Sequence, residues 1–176
     1  MMSAYENETY ITIGNVFPQI SNVTCTSSEP LDTNPLYGWV NISCTITDNV
    51  TVSQVILKIR NPDDSWNNVS MVNRSTGAYY YQSTTVFSTV GNYSYYIWVK
   101  DTNNHTNITR NMVFSMSPNW DINNDGRCTI LDHVMISVHY SQTGSSGWIR
   151  EDVDNSGVIN TSDLITASNY YYESWW

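Results

Sequence analysis

Positive charge is scarce in this chain: seven Lys and Arg stand against sixteen Asp and Glu, a net charge of −9 over 176 residues. That balance excludes a nucleic-acid backbone as partner, because phosphate binding needs clustered cations that release counterions, and it leaves no basic stripe for an anionic membrane surface. No window approaches the roughly eighteen consecutive apolar residues of a membrane-spanning helix. Met1-Met2-Ser-Ala lacks the basic and apolar segments of a secretory signal. Cysteine is limited to three residues, so any disulfide leaves one thiol over. Catalytic constellations are missing as well. His133 and His139 are six residues apart, whereas two zinc ligands sharing a helix face stand at i and i+4, and His105 lies in a loop reading. A Gly-rich phosphate loop, a Ser nucleophile elbow and a Cys-x-x-Cys pair are all absent. The chain is therefore expected not to be an enzyme.

What is present is oxygen at regular spacing. Asp121-Ile-Asn-Asn-Asp-Gly-Arg-Cys-Thr-Ile-Leu-Asp132 places oxygen donors at alternate positions around one glycine. A hard cation that takes six to eight oxygens needs that zigzag, since only alternate side chains point inward as the loop curls around it. The ligands expected are Asp121, Asn123, Asp125, the carbonyl of Arg127, Thr129 through water, and Asp132, with Gly126 at the sharp turn. The register recurs 31 residues later in Asp152-Val-Asp-Asn-Ser-Gly-Val-Ile-Asn-Thr-Ser-Asp163. There Asp152, Asp154, Ser156, the Val158 carbonyl, Asn160 and Asp163 are the expected ligands, and Gly157 takes the turn. A single match leaves a solvated Asn/Asp/Gly turn as the lesser reading; two in register make that reading improbable. Residues 119 to 176 hold eight acids against Arg127 and Arg150, −6 of the total charge, and two calcium ions would cancel four of those charges.

A duplicated twelve-residue loop that closes in Asp rather than Glu, each copy followed by one helix with none leading in, resembles the dockerin family. The second loop fits best, because Thr161 and Ser162 at positions ten and eleven form the hydroxyl pair that dockerins commonly present to a cohesin partner. The first loop has Ile130 and Leu131 there instead. Both loops carry an apolar residue at position eight, Cys128 and Ile159, expected to pair across the two loops. The connector Gln142 to Asp152 is similar to the version in archaeal cell-surface proteins. The resemblance covers residues 119 to 176 and implies two Ca2+ ions and a protein partner.

Solubility has to come from uncharged polar groups, 21 Asn and 41 Ser plus Thr. Asn-x-Ser/Thr acceptors stand at Asn7, Asn22, Asn41, Asn49, Asn68, Asn73, Asn92, Asn104, Asn107 and Asn160, ten where chance gives about five. The excess reads as a glycosylated, extracellular surface; the competing reading is Asn and Thr alternating along strands and turns. Cys25 and Cys44 fall in the inward phase of consecutive predicted strands, where they form either a bridge or two buried thiols. Cys128 reads as a small buried apolar residue.

From Pro18 the chain alternates apolar and polar residues in short runs broken by turn signals: 19–26, 38–47, 52–60, 67–72, 77–86, 92–100 and 108–116. Seven strands in about a hundred residues make a sandwich. Ile20-Ser-Asn-Val-Thr, Val40 to Asn49 and Gly91 to Asp101 resemble the immunoglobulin-like domains of prokaryotic surface proteins. Tyr93, Tyr95, Ile97 and Val99 share one face of the last strand, with Tyr96 and Trp98 on the other, either covered or free to stack on sugars. Residues 1–17 read as an extension whose segment 5 to 14 has strand composition, 18–116 as the sandwich and 119–176 as the calcium module. Helices are expected over Ile130 to Tyr140, with Leu131, Val134, Met135 and Val138 inward, and over Thr161 to Tyr172, with Leu164, Ile165 and Ser168 inward. The terminal Tyr170 to Trp176 is too aromatic for a free tail. The expected fold is mainly β with a small α module. The expected function is an extracellular calcium-binding assembly protein, its partner copies of itself in a filament or a cohesin, with a carbohydrate-binding module as the lesser alternative.

Overall fold

The computed structural model describes Gly14, residues 16–27 and residues 38–175. Apart from Gly14, the strand expected over 5 to 14 lies outside the described residues, as does the acceptor Asn7.

The described chain is mainly β. Nine strands run in the order β1 Gln19–Ser27, β2 Val40–Thr47, β3 Val52–Arg60, β4 Trp66–Ser70, β5 Val72–Ser75, β6 Ala78–Ser83, β7 Gly91–Asp101, β8 Thr106–Ile108 and β9 Met112–Met116. Two short helices follow, α1 Ile130–Val138 and α2 Thr161–Ser168. One antiparallel sheet has the order β1-β2-β6-β5; the other has β4-β3-β7, with β8 and β9 paired end to end along β7. Three predicted runs differ from the observed strands. The run 67–72 divides at Met71, which is buried and donates its amide to Val55 O at 3.0 Å, and there the chain leaves one sheet for the other. The run 77–86 ends at Ser83, whose hydroxyl accepts from the amides of Thr85 and Val86. The run 108–116 breaks around Thr109, whose Oγ1 takes the Ile97 amide at 2.9 Å and so satisfies β7 in the gap between its two partners.

Strict alternation explains why these strands face one another. Val40, Ile42, Cys44 and Ile46 on β2, Val55, Leu57 and Ile59 on β3, and Tyr93, Tyr95, Ile97 and Val99 on β7 form one buried cluster from both sheets. Each such aliphatic side chain contributes roughly 1.5–3 kcal/mol by leaving water. Phe87, Tyr93 and Phe114 close one end of it: Tyr93 and Phe114 stack at 5.1 Å, and Phe87 meets both edge-on. Tyr96 and Trp98 are half-buried on the outer face, and Tyr96 meets the exposed Trp66 edge to face, rings 69° apart.

The three cysteines are free thiols, so of the two readings of Cys25 and Cys44 the bridge is not the one seen. Cys25 lies opposite Ile42, which leaves Cys44 on the diagonal, and the pairing of β1 with β2 shifts between Ser21 and Thr24. Diagonal neighbours stand beyond the reach of a disulfide. Cys44 is buried and Cys25 exposed, so the alternative of two buried thiols holds for Cys44 alone.

A second, separate cluster unites Ile122, Cys128, Ile136, Val153, Ile159 and Ala167, with Trp120, Met135, Trp148, Ile149 and Leu164 against it. The six buried residues are three pairs related by the 31-residue repeat, 122 with 153, 128 with 159 and 136 with 167. Of the residues expected inward from periodicity, Met135 and Leu164 pack against this cluster, and the others, Ser168 included, are corrected here. Leu131, Val134 and Val138 are exposed, while Asp132 and Ile136 are buried. On α2 Ile165 is exposed and Ala167 buried. Both helices also end earlier than expected. The reason is their length: α1 has nine residues and α2 eight, and Asp132 and Asp163 must point into the loops before them, which fixes the rotation of everything after.

Candidate metal centre

Each loop turns by the same backbone device. Asn124 and Asn155 at position four both have φ 57°, and Gly126 and Gly157 at position six have φ 91° and 83°. Left-handed backbone favours Gly and Asn, which is why those residue types stand there. Amides then converge on carboxylates in matching pairs. Gly126 N donates to Asp121 Oδ2 and Gly157 N to Asp152 Oδ2, both at 2.9 Å. Asn123 N donates to Asp132 Oδ1 and Asp154 N to Asp163 Oδ1, both at 3.2 Å.

The closing carboxylates double as helix caps. Thr129 caps α1 and Asn160 caps α2, each in a capping box whose return bond goes to Asp132 or Asp163. Asp132 Oδ2 accepts from Thr129 N at 2.7 Å, and Asp163 Oδ2 from Asn160 N at 2.8 Å. One oxygen of each is thus fixed by position nine and the other by position three, and both carboxylates are fully buried.

In the second loop Asp152, Asp154 and Asp163 bring carboxylate oxygens within 4.8 Å of one another, a group that can hold a metal ion. Burial pushes the Asp163 carboxyl up from its ordinary value, the Asp154 and Asp152 charges add to that, and the amides of Asn160 and Asp154 pull the other way. A divalent cation among the three would relieve that repulsion, and the donor set is oxygen throughout, so the residues fit a hard cation. Ser156 and the Val158 carbonyl belong to the same turn, Ser156 Oγ donating to Val158 O at 3.1 Å and Asn160 Nδ2 to the same oxygen at 3.0 Å. In the first loop Asp125 turns aside: its carboxylate accepts from Asn123 Nδ2 at 2.9 Å and Arg127 N at 3.0 Å. Asp121 and Asp132 remain buried there.

Sequence reasoning missed what holds the loops shut. Cys128 and Ile159 share the buried cluster, but their backbones do not pair with each other. Cys128 N donates to Glu173 O at 3.0 Å and Tyr172 N to Cys128 O at 2.8 Å; Ile159 N donates to Gln142 O at 3.0 Å and Ser141 N to Ile159 O at 2.8 Å. The strand bridges are Arg127 with Ser174 and Thr143 with Val158. Each loop is strapped by the segment that leaves the opposite helix. The straps share the repeat, for Ser141 and Tyr172, 31 residues apart, both adopt left-handed backbone at φ 70° and 68°. The signal lay in Gln142-Thr143 against Glu173-Ser174. Among the other predicted residues, Thr161 and Ser162 are exposed at the start of α2, and Thr161 Oγ1 lies 3.0 Å from the Tyr140 hydroxyl. The remaining acceptor asparagines divide by their amide nitrogens. Asn49, Asn107 and Asn160 donate theirs to Gly14 O, Pro18 O and Val158 O, and Asn22 donates weakly to Thr45 Oγ1. Asn68, Asn73, Asn92 and Asn104 are exposed, and Asn41 is half-buried.

No family model matches this chain, and no curated protein matches it. Among solved structures, the Br derivative of BhCBM56 is similar at 14% identity and a TM-score of 0.34, over 44% of this chain and 78% of that one. The chitinase ChiW of Paenibacillus sp. str. FPU-7, a bacterial cell-surface-expressed multi-modular enzyme machinery, is similar at 6% identity and a TM-score of 0.43, over 69% of this chain and 11% of that one. Likeness at this level assigns neither a fold family nor an activity. Among the described residues no helix is long and apolar enough to cross a membrane.

Proposed function

We propose that this chain is a non-enzymatic, extracellular assembly protein in which two calcium ions rigidify a dockerin-like module behind an immunoglobulin-like sandwich, and that the module docks a protein partner. One observation carries the reading. Ile130, Leu131, Val134 and Val138 form an apolar stripe on α1, exposed by 50 to 70%, directly after a loop whose twin can hold a metal ion. Apolar side chains at such spacing on one helix face are ordinarily turned to a core; here the core takes the opposite side, and a contiguous exposed patch marks an interaction surface. The partner favoured is another copy of the chain, joined head to tail. Exposed Thr161 and Ser162 favour the second reading, a cohesin-like partner.

Calorimetry with calcium is the first test, and two ions per chain are expected; no heat of binding overturns the metal reading. Sedimentation of the calcium-loaded protein is the second. Self-association abolished by Val134→Glu supports the assembly reading, whereas a monomer at every concentration leaves the cohesin-like partner in front.

A further inference from the structure

The two strapped loops differ in the second donor to Oδ2 of their first aspartate, and the difference gives a role to Trp175. Asp152 Oδ2 takes two backbone amides, Gly157 N at 2.9 Å and Gly147 N at 3.0 Å. Asp121 Oδ2 takes Gly126 N at 2.9 Å, but its second donor is a side chain, the indole Nε1 of Trp175 at 2.6 Å. Trp175 sits on the strap after α2, where its own amide reaches Gly126 O at 3.3 Å, the counterpart of Gly144 N to Gly157 O at 3.0 Å. Indole N–H is a donor only, so this bond forms with Asp121 as the acceptor. A hydrogen bond to a carboxylate is about twice as strong as one between neutral groups, and Asp121 is fully buried.

The geometry points to Trp175 as the positioning residue of the first loop: its indole fixes the Asp121 carboxylate for a cation, so that filling of that loop and closure of strap 172–175 are one event. This rests on the metal reading above. The second loop has a main-chain donor in the same place and needs no such latch. The two sites are then unequal in a defined sense, one closed by backbone alone and the other by a side chain that substitution can remove.

The test uses the full chain and calcium alone. Trp175→Phe keeps an aromatic ring on the strap and removes the N–H. Two-site calorimetry is expected to show one affinity lowered about tenfold or more and the other unchanged. Both affinities unchanged, or both lowered alike, overturns the assignment; a wild-type chain that binds no calcium refutes the metal reading instead. Independently of any folding defect in that variant, the Trp175 indole proton of the wild-type chain is followed by nuclear magnetic resonance, identified by its loss in Trp175→Phe. Its hydrogen exchange is expected to slow on calcium addition, to slow likewise in Asp152→Asn, and to stay fast in Asp121→Asn. Exchange that ignores calcium in the wild-type chain overturns the proposal.

Discussion

The thiol of Cys25 on β1 and the phenol of Tyr95 on β7 act on each other's protons from one sheet to the other, the phenol lowering the thiol and the thiol raising the phenol. Burial pushes Tyr95 up to about 12 and Cys44 up to about 11, and the Cys25 thiol, at a residue that is exposed as a whole, is raised by the part of it that is screened from water. All three groups hold their protons more tightly folded than unfolded, where Cys and Tyr titrate near 9 and 10. Their contribution is therefore complete below pH 9 and is lost as pH rises through the folded values. The sheet signal in circular dichroism is expected to collapse between about pH 9 and 12, and Tyr95→Phe is expected to narrow that loss.

The rotation of α1 is checked by a pair of truncations. Ile136→Ala removes a fully buried side chain and is expected to cost about 2–5 kcal/mol. Val138→Ala, at a residue 70% exposed, is expected to change stability by less than about 0.5 kcal/mol. Denaturant titration of the calcium-loaded protein decides; equal costs would refute the face described here.

Gly157 in the second loop leaves no room for a side chain. A Cβ there would lie 2.8 Å from the Gly144 carbonyl oxygen, on backbone at φ 83°. Gly157→Ala is expected to cost about 1–2 kcal/mol from backbone strain alone and to push the strap 141–144 off the loop. The readout is calcium affinity, which should fall at the second site.

If calcium fills that same site, as proposed, protons compete with it there. Because Asp163 is raised above its ordinary 3.8, it takes up a proton at a higher pH than a free carboxyl does. Calcium affinity is expected to fall as pH drops through that raised value, with proton release on binding growing over the same range. Calorimetry in buffers of different ionisation heat measures the protons displaced.

Legibility from sequence followed periodicity. The inward row of β7 could be read because Tyr93, Tyr95, Ile97 and Val99 alternate without interruption and all are buried. The turns of both loops could be read because Gly126 and Gly157 stand at the same position of the repeat, Asp152, Asp154 and Asp163 do come together, and both helix starts coincide with Ile130 and Thr161 as expected. The faces of α1 and α2 could not, because the core accepted Asp132 and Asp163 in place of Leu131 and Ile165. The straps had no apolar alternation to read, only the 31-residue repeat itself: each is one isolated bridge, set by tertiary pairing rather than by local preference. Cys25 and Cys44 share a phase, but register, which phase does not specify, keeps them apart.

The exchange of straps between the halves also bears on how such a unit arises and divides. A lone 31-residue half would own a loop without its strap and a strap without its loop, and half of every core pair besides. Two such halves on separate chains could satisfy each other by a twofold axis, in the manner of protomers trading identical segments. The unit is in that sense a dimer made covalent by residues 145–151, the part of the connector beyond the strap, and severing that part should leave two pieces that find each other again.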